Sequence, residues 1–92
     1  MLQKTWTIPC KQGFHLRPAQ LLTETAGQFQ AAVTLHKAEE PATTAVDAKS
    51  ILGLMGLGLA YGQSVTVITD GSDEAAAMQA VQKLFDTRFG EE

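Results

Sequence analysis

The chain has 92 residues, enough for one small domain with a modest core. Apolar residues make up 45% and charged residues 18%, which excludes a disordered tail, and a net charge of −3 argues against general nucleic-acid binding. The single cysteine, Cys10, excludes an internal disulfide; no apolar run can cross a bilayer and MLQKTWTIPCKQG lacks the core of a signal peptide, so a cytoplasmic protein without membrane insertion is expected.

Leu2, Trp6 and Ile8 fall on one side of a period-two pattern, which predicts a strand over Leu2–Ile8 with one buried face. Residues 11–15 read as a loop. Pro18 suits a first helical turn, and Leu22, Ala26 and Phe29 follow at helical spacing, so a helix is expected over 16–28. Ala32–His36 alternates through Val33 and Leu35 and reads as a second strand, with His36 on an edge or the surface. Residues 37–42 are polar and include Pro41, as an exposed hairpin loop would. Thr43–Val46 is a β-branched third strand. Asp47 or Ser50 caps a short helix that ends near Leu57. Ser64–Thr69 is a fourth strand and Asp70-Gly71 a turn. Ser72-Asp73-Glu74 opens a last helix with Ala77, Val81, Leu84 and Phe85 on one stripe. The acidic stretch from Asp70 to Glu92 reads as a solvated helix face and a frayed end. The order β-α-β-β-α-β-α predicts an α+β open-faced β-sandwich, a four-stranded antiparallel sheet with three helices on one face.

The chemistry concentrates in Gly13-Phe14-His15-Leu16-Arg17-Pro18-Ala19. A histidine just before a helix faces the outward N–H groups of the first turn and the positive end of the helix dipole, which together form an anion site. Arg17 adds a fixed cation with forked geometry for phosphate oxygens. Imidazole is nucleophilic and titrates near neutrality, so it can accept and release a phosphoryl group. Against this stands the ordinary reading of a lone loop histidine as a solvated side chain, and the spacing alone does not displace it. His15, His36 and Cys10 show no metal-ligand spacing, so neither a metal nor a cofactor is expected. Cys10 reads as a small buried or half-buried residue.

The segment Gly13–Ala19 resembles the G-(L/I)-H-A-R-P-A signature of HPr, the histidine-containing phosphocarrier of the phosphoenolpyruvate-dependent sugar phosphotransferase system. Asp47–Met55 is similar to the family's second signature, Leu57-Gly58-Leu59 and Tyr61-Gly62 to its glycine spacing, and Gly71–Ala75 to the entry of its last helix. The likeness spans nearly the whole chain, so residues 1–92 are expected to form one HPr-like domain. It implies that His15 takes phosphate through Nδ1 from Enzyme I, which phosphoenolpyruvate has charged, and passes it to the IIA domain of a sugar transporter. Arg17 would steady the phosphate, and the amides of Leu16 and Arg17 would cap it. Such a protein is a covalent carrier more than a turnover catalyst, and a monomer is expected. Apolar residues on a short helix are more often core than interface; here Leu54 and Leu57 can fill the core side, leaving Ile51, Leu52 and Met55 on another face. The family docks both partners on that patch. Ser50 matches the family's regulatory phosphoserine, although a plain helix cap is the favoured reading. Three departures are visible: a long loop from Lys37 to Ala45, as in HPr domains of multiphosphoryl transfer proteins, Gln12 in place of a small Asn or Ser, and Glu24 where relatives carry lysine. Two rival classes remain. A regulatory module of the same fold would bind a transcription factor or enzyme without phosphotransfer, but the pairing of His15 with Arg17 favours the carrier. An RNA-binding sandwich would need exposed aromatics and positive charge.

Overall fold

The computed structural model describes residues 1–90. The elements are β1 (Leu2–Thr7), α1 (Leu16–Gly27), β2 (Ala32–Lys37), β3 (Val46–Asp47), α2 (Ile51–Gly56), β4 (Ser64–Asp70) and α3 (Glu74–Asp86), in the order expected from the sequence. All neighbouring strands pair antiparallel in the spatial order β1-β4-β2-β3. The last strand in sequence is therefore inserted between the first two. It is also the most buried strand, with Val65 and Val67 fully covered and Thr66 and Thr69 buried beside them. The helices cover one face of the sheet, as the α+β reading requires. Ala19, Leu22 and Ala26 of α1 and Ala77, Met78, Val81 and Phe85 of α3 share one buried cluster with Val33, Leu35, Val65 and Val67. Each large apolar side chain buried there contributes about 1.5–3 kcal/mol. The spacing of these residues is what made both helices legible.

Five expectations need correction. β1 has no continuous buried face: Leu2 is 39% exposed and the strand is mostly open. It is an edge strand, and its principal cover is Phe85 of α3, stacked on Trp6 at 4.6 Å between ring centroids. Ile8 is fully buried but lies beyond the strand. The third strand is not Thr43–Val46. Ala42–Thr44 is a single 3₁₀ turn, and the strand is only Val46–Asp47. The Thr44 amide and Oγ1 both donate to the Pro41 carbonyl, at 3.0 and 2.8 Å, and this local bonding overrides the β preference of two threonines. His36 is neither edge nor surface. β2 is an interior strand, and His36 is 7% exposed, with Nδ1–H donating to the Lys37 carbonyl at 2.8 Å. The chain end is not simply frayed either. After α3, Phe89 turns inward and is buried, its ring edge-on to Phe85 at 5.0 Å. Glu91 and Glu92 lie outside the described residues. Leu84 of the expected stripe is only half-buried, and Met78, which the sequence reading left out, is buried in its place.

Two contacts tie the start of α3 to the turn between α1 and β2. Asp73 accepts from the Gln30 amide at 2.9 Å and the Ala31 amide at 2.7 Å, so the residue that reads as a helix opener instead clamps a neighbouring turn. Gly71 makes the second contact, with φ 154° and a position where a Cβ would stand 2.6 Å from Ala31 Cα. Gly71→Ala is expected to destabilise the fold by about 1–3 kcal/mol in urea unfolding, because backbone and not a flexible side chain must yield.

The Gln30 amide and then the Ala31 amide hold the Asp73 carboxyl below its ordinary pKa of 3.8. A depressed folded-state pKa stabilises the protein above the unfolded value, and the gain is lost as pH falls through the folded one. The stability difference between wild type and Asp73→Asn is therefore expected to be full at neutral pH and to shrink below about pH 4. Urea titrations of both proteins across pH 2–7 would show this, and a constant difference would remove the clamp from the account.

Candidate functional site

The site begins with a bend. Gly13 sits at φ 83°, its amide donating to the Cys10 carbonyl at 2.9 Å, and the His15 amide returns to the Gly13 carbonyl at 3.0 Å. A Cβ at Gly13 would lie 3.2 Å from the Leu59 carbonyl oxygen, so both the left-handed backbone and the close approach favour glycine. Phe14 fixes the loop to the body. Its amide donates to that Leu59 carbonyl at 3.0 Å, and its buried ring meets Phe89 edge-on at 5.3 Å. Cys10, at the foot of the loop, is fully buried, as expected.

His15 is the N-cap residue of α1. Its backbone is extended, at φ −78° and ψ −170°, and its carbonyl accepts from the Ala19 amide at 3.2 Å. Its side chain makes no capping hydrogen bond to the helix and is half-exposed at the helix end. The first turn contains Leu16, Arg17 and Pro18. First-turn amides have no acceptor within a helix, and Pro18 has no N–H at all. The Leu16 and Arg17 amides are thus the two donors of this turn available to an anion, next to the positive pole of the dipole. Pro18 is buried and Arg17 exposed, so the helix is anchored by the proline while the guanidinium stays at the surface. The described residues contain no group of His, Cys, Asp or Glu side chains able to hold a metal.

The second signature forms a neighbouring wall. Ser50 caps α2, its Oγ accepting from the Gly53 amide at 3.2 Å, in line with the cap reading. Asp47 Oδ1 accepts from the Lys49 amide, and Lys49 Nζ donates to the Phe29 carbonyl at 2.9 Å, which joins the α2 entry to the end of α1. Leu54 is buried. Leu52 is 82% exposed and Met55 41%, while Ile51 is half-buried against the core. α1 packs on α2, and the Leu59 segment that follows α2 holds the Phe14 amide. Leu16, between His15 and Arg17, is itself 52% exposed and puts an apolar side chain at the surface beside the histidine. The sequence reading gave Leu16 only its amide. An apolar side chain at the first helical position, ahead of the buried face, was the available signal. Gln12 and Glu24 are both exposed.

The family model described as the PTS HPr component phosphorylation site matches residues 2–87. The chain belongs to the HPr phosphocarrier family of the phosphotransferase system. The phosphocarrier protein HPr of Cupriavidus necator is 44% identical over 91 residues, covering 99% of this chain and 98% of that one. Among solved structures, HPr-C-His from Thermoanaerobacter tengcongensis superposes with a TM-score of 0.89 at 38% identity, over 100% of this chain and 99% of that one. An HPr dimer from the same organism matches with a TM-score of 0.75 at 37% identity, over 99% and 100%. The match to HPr structures carries the open-faced sandwich with it. Among the described residues no helix is long and apolar enough to cross a membrane.

The two sides of α2 make a direct comparison. Leu52→Glu is expected to leave stability within about 0.5 kcal/mol of wild type, because its side chain is in water. Leu54→Ala is expected to cost about 2–5 kcal/mol through the cavity it leaves. Thermal melts of the pair check both, and a Leu52→Glu protein that melts with Leu54→Ala would place Leu52 in the core.

Proposed function

We propose that residues 1–92 form one phosphocarrier domain whose His15 accepts a phosphoryl group from Enzyme I and passes it to a IIA domain in sugar uptake. The observation that carries this reading is the half-exposed His15 at the N-cap of α1, beside two first-turn amides and ahead of a proline that offers none. In the forward step the Nδ1 lone pair of neutral imidazole forms a bond to phosphorus as the bond to the donor group of Enzyme I breaks. In the second step that P–N bond breaks toward the acceptor of the IIA domain, and neutral imidazole returns. The Leu16 and Arg17 amides cap the equatorial oxygens, and the Arg17 guanidinium offsets their charge. The work left to the protein is positioning and electrostatics, which suits a small rigid carrier.

Positioning requires a partner surface. Leu52, Met55 and the partly covered Ile51 serve as that surface, with the exposed Leu16 next to His15 adding to it. A flexible methionine suits a patch that must accept more than one partner. Ser50 acts as the cap of α2 in this account. A phosphate on it would stand at the edge of the patch and repel an acidic partner.

With phosphoenolpyruvate and Enzyme I, the protein is expected to gain one phosphate that is labile in acid and stable in alkali. His15→Ala is expected to gain none while melting like wild type. Arg17→Lys keeps the charge but loses the planar fork, so transfer slows by about tenfold or more with partner affinity little changed. Mass spectrometry and NMR titration read the two effects separately. A label retained in His15→Ala, or stable in acid, would end the assignment.

A further inference from the structure

A cavity of about 340 Å³ lies behind the His15 loop, between the end of β1, the Tyr61-Gly62 turn and the segment after α3. Lys11 and Arg88 line it, and none of its lining residues is acidic. In a chain of net charge −3, this cavity is lined by two cationic residues and no acidic one, which gives it a local positive balance. Pro9 and Tyr61 supply apolar walls, and the Tyr61 side chain is largely exposed, so nothing in the fold uses its ring.

The backbone at Arg88 is a second, independent observation. Thr87 is the C-cap of α3, which puts Arg88 at the next position, where helices favour glycine in the left-handed conformation. Arg88 adopts that conformation, with φ 54°, and Phe89 follows at φ 53°. Phe89 gains burial against Phe14 and Phe85 in return. Arg88 is exposed and gains no such packing. It lines the cavity in this strained conformation, and strain of this kind collects at functional sites.

We propose that this cavity binds a phosphate monoester of a small polyol or sugar. A phosphomonoester carries close to two negative charges at neutral pH, which matches Lys11 and Arg88, and the arginine fork fits two of its oxygens. The carbon body lies against Tyr61 and Pro9. The volume is at the lower end of small-molecule sites, which suits a ligand of a few carbons. The site is distinct from the His15 anion site but mechanically close to it. Lys11 precedes the Gly13 bend, and Phe89, next to Arg88, packs on Phe14, next to His15.

The test is a ¹H–¹⁵N NMR titration of the full chain with glucose 6-phosphate, glycerol 3-phosphate, inorganic phosphate and glucose. The two esters are expected to shift the Lys11, Tyr61, Gly62 and Arg88 amides saturably, more tightly than inorganic phosphate, while glucose does not. Arg88→Gly and Lys11→Gln are each expected to weaken ester binding by about tenfold, the loss of one charge-assisted contact. Arg88→Gly is also expected to raise the melting temperature, because glycine relieves the left-handed strain, so lost binding cannot be attributed to unfolding. His15→Ala is expected to bind the esters like wild type, which separates this proposal from the phosphocarrier reading. Shifts confined to His15–Arg17, equal affinity for inorganic phosphate, or undiminished binding by both cation variants would overturn it.

Discussion

Phe14 is buried while His15, the next residue, is half-exposed, and the geometry of the site follows from that alternation. The Phe14 ring is held by Phe89 and its amide by the Leu59 carbonyl, so the loop is fixed from two distant parts of the chain. A histidine on an untethered loop would sample many orientations, and each transfer step would carry the entropy of finding the right one. With Phe14 anchored and Gly13 bent, His15 enters α1 at a set angle. The same anchor runs on through Phe89 to Phe85 and Trp6, which joins the site loop to α3 and to the edge strand β1.

This arrangement separates rigidity from chemistry. The groups that fix the loop are buried and apolar, whereas His15 is half-exposed and Leu16 and Arg17 are exposed. Pro18 shows both aspects: its ring is buried, and its missing N–H leaves the two preceding amides as the donors of the first turn. α2 is divided in a similar way. Leu54 points into the core, Ser50 closes the N-terminus, and Leu52 and Met55 remain in water. A phosphocarrier must fit a donor and then an acceptor.

The helices α1 and α3, the strands β2 and β4 and the cap at Ser50 were legible in the sequence because each rests on local periodicity or a local hydrogen bond. The local geometry of Gly13–Ala19 was legible for the same reason: a glycine bend, a histidine before the helix and a first-turn proline are adjacent in the chain. β3 was misplaced because a threonine–carbonyl bond at Pro41 competes with strand pairing, and propensity does not record that competition. His36 was misjudged because its burial depends on β2 pairing with β4 on one side and β3 on the other, which makes β2 an interior strand.

By itself the sequence determined the element order and the apolar faces of the long helices, and it singled out Gly13–Ala19 as the segment where chemistry concentrates, since spacing and residue chemistry act over a few positions. Only the tertiary structure decided that Phe89 closes under Phe14, that Asp73 clamps a turn 42 residues earlier at Ala31, and that Lys11 and Arg88 share one cavity. Those pairs lie far apart in the chain. Their meeting is fixed by how the helices settle on the sheet, through buried area and close packing summed over the whole core, and no local pattern encodes that sum.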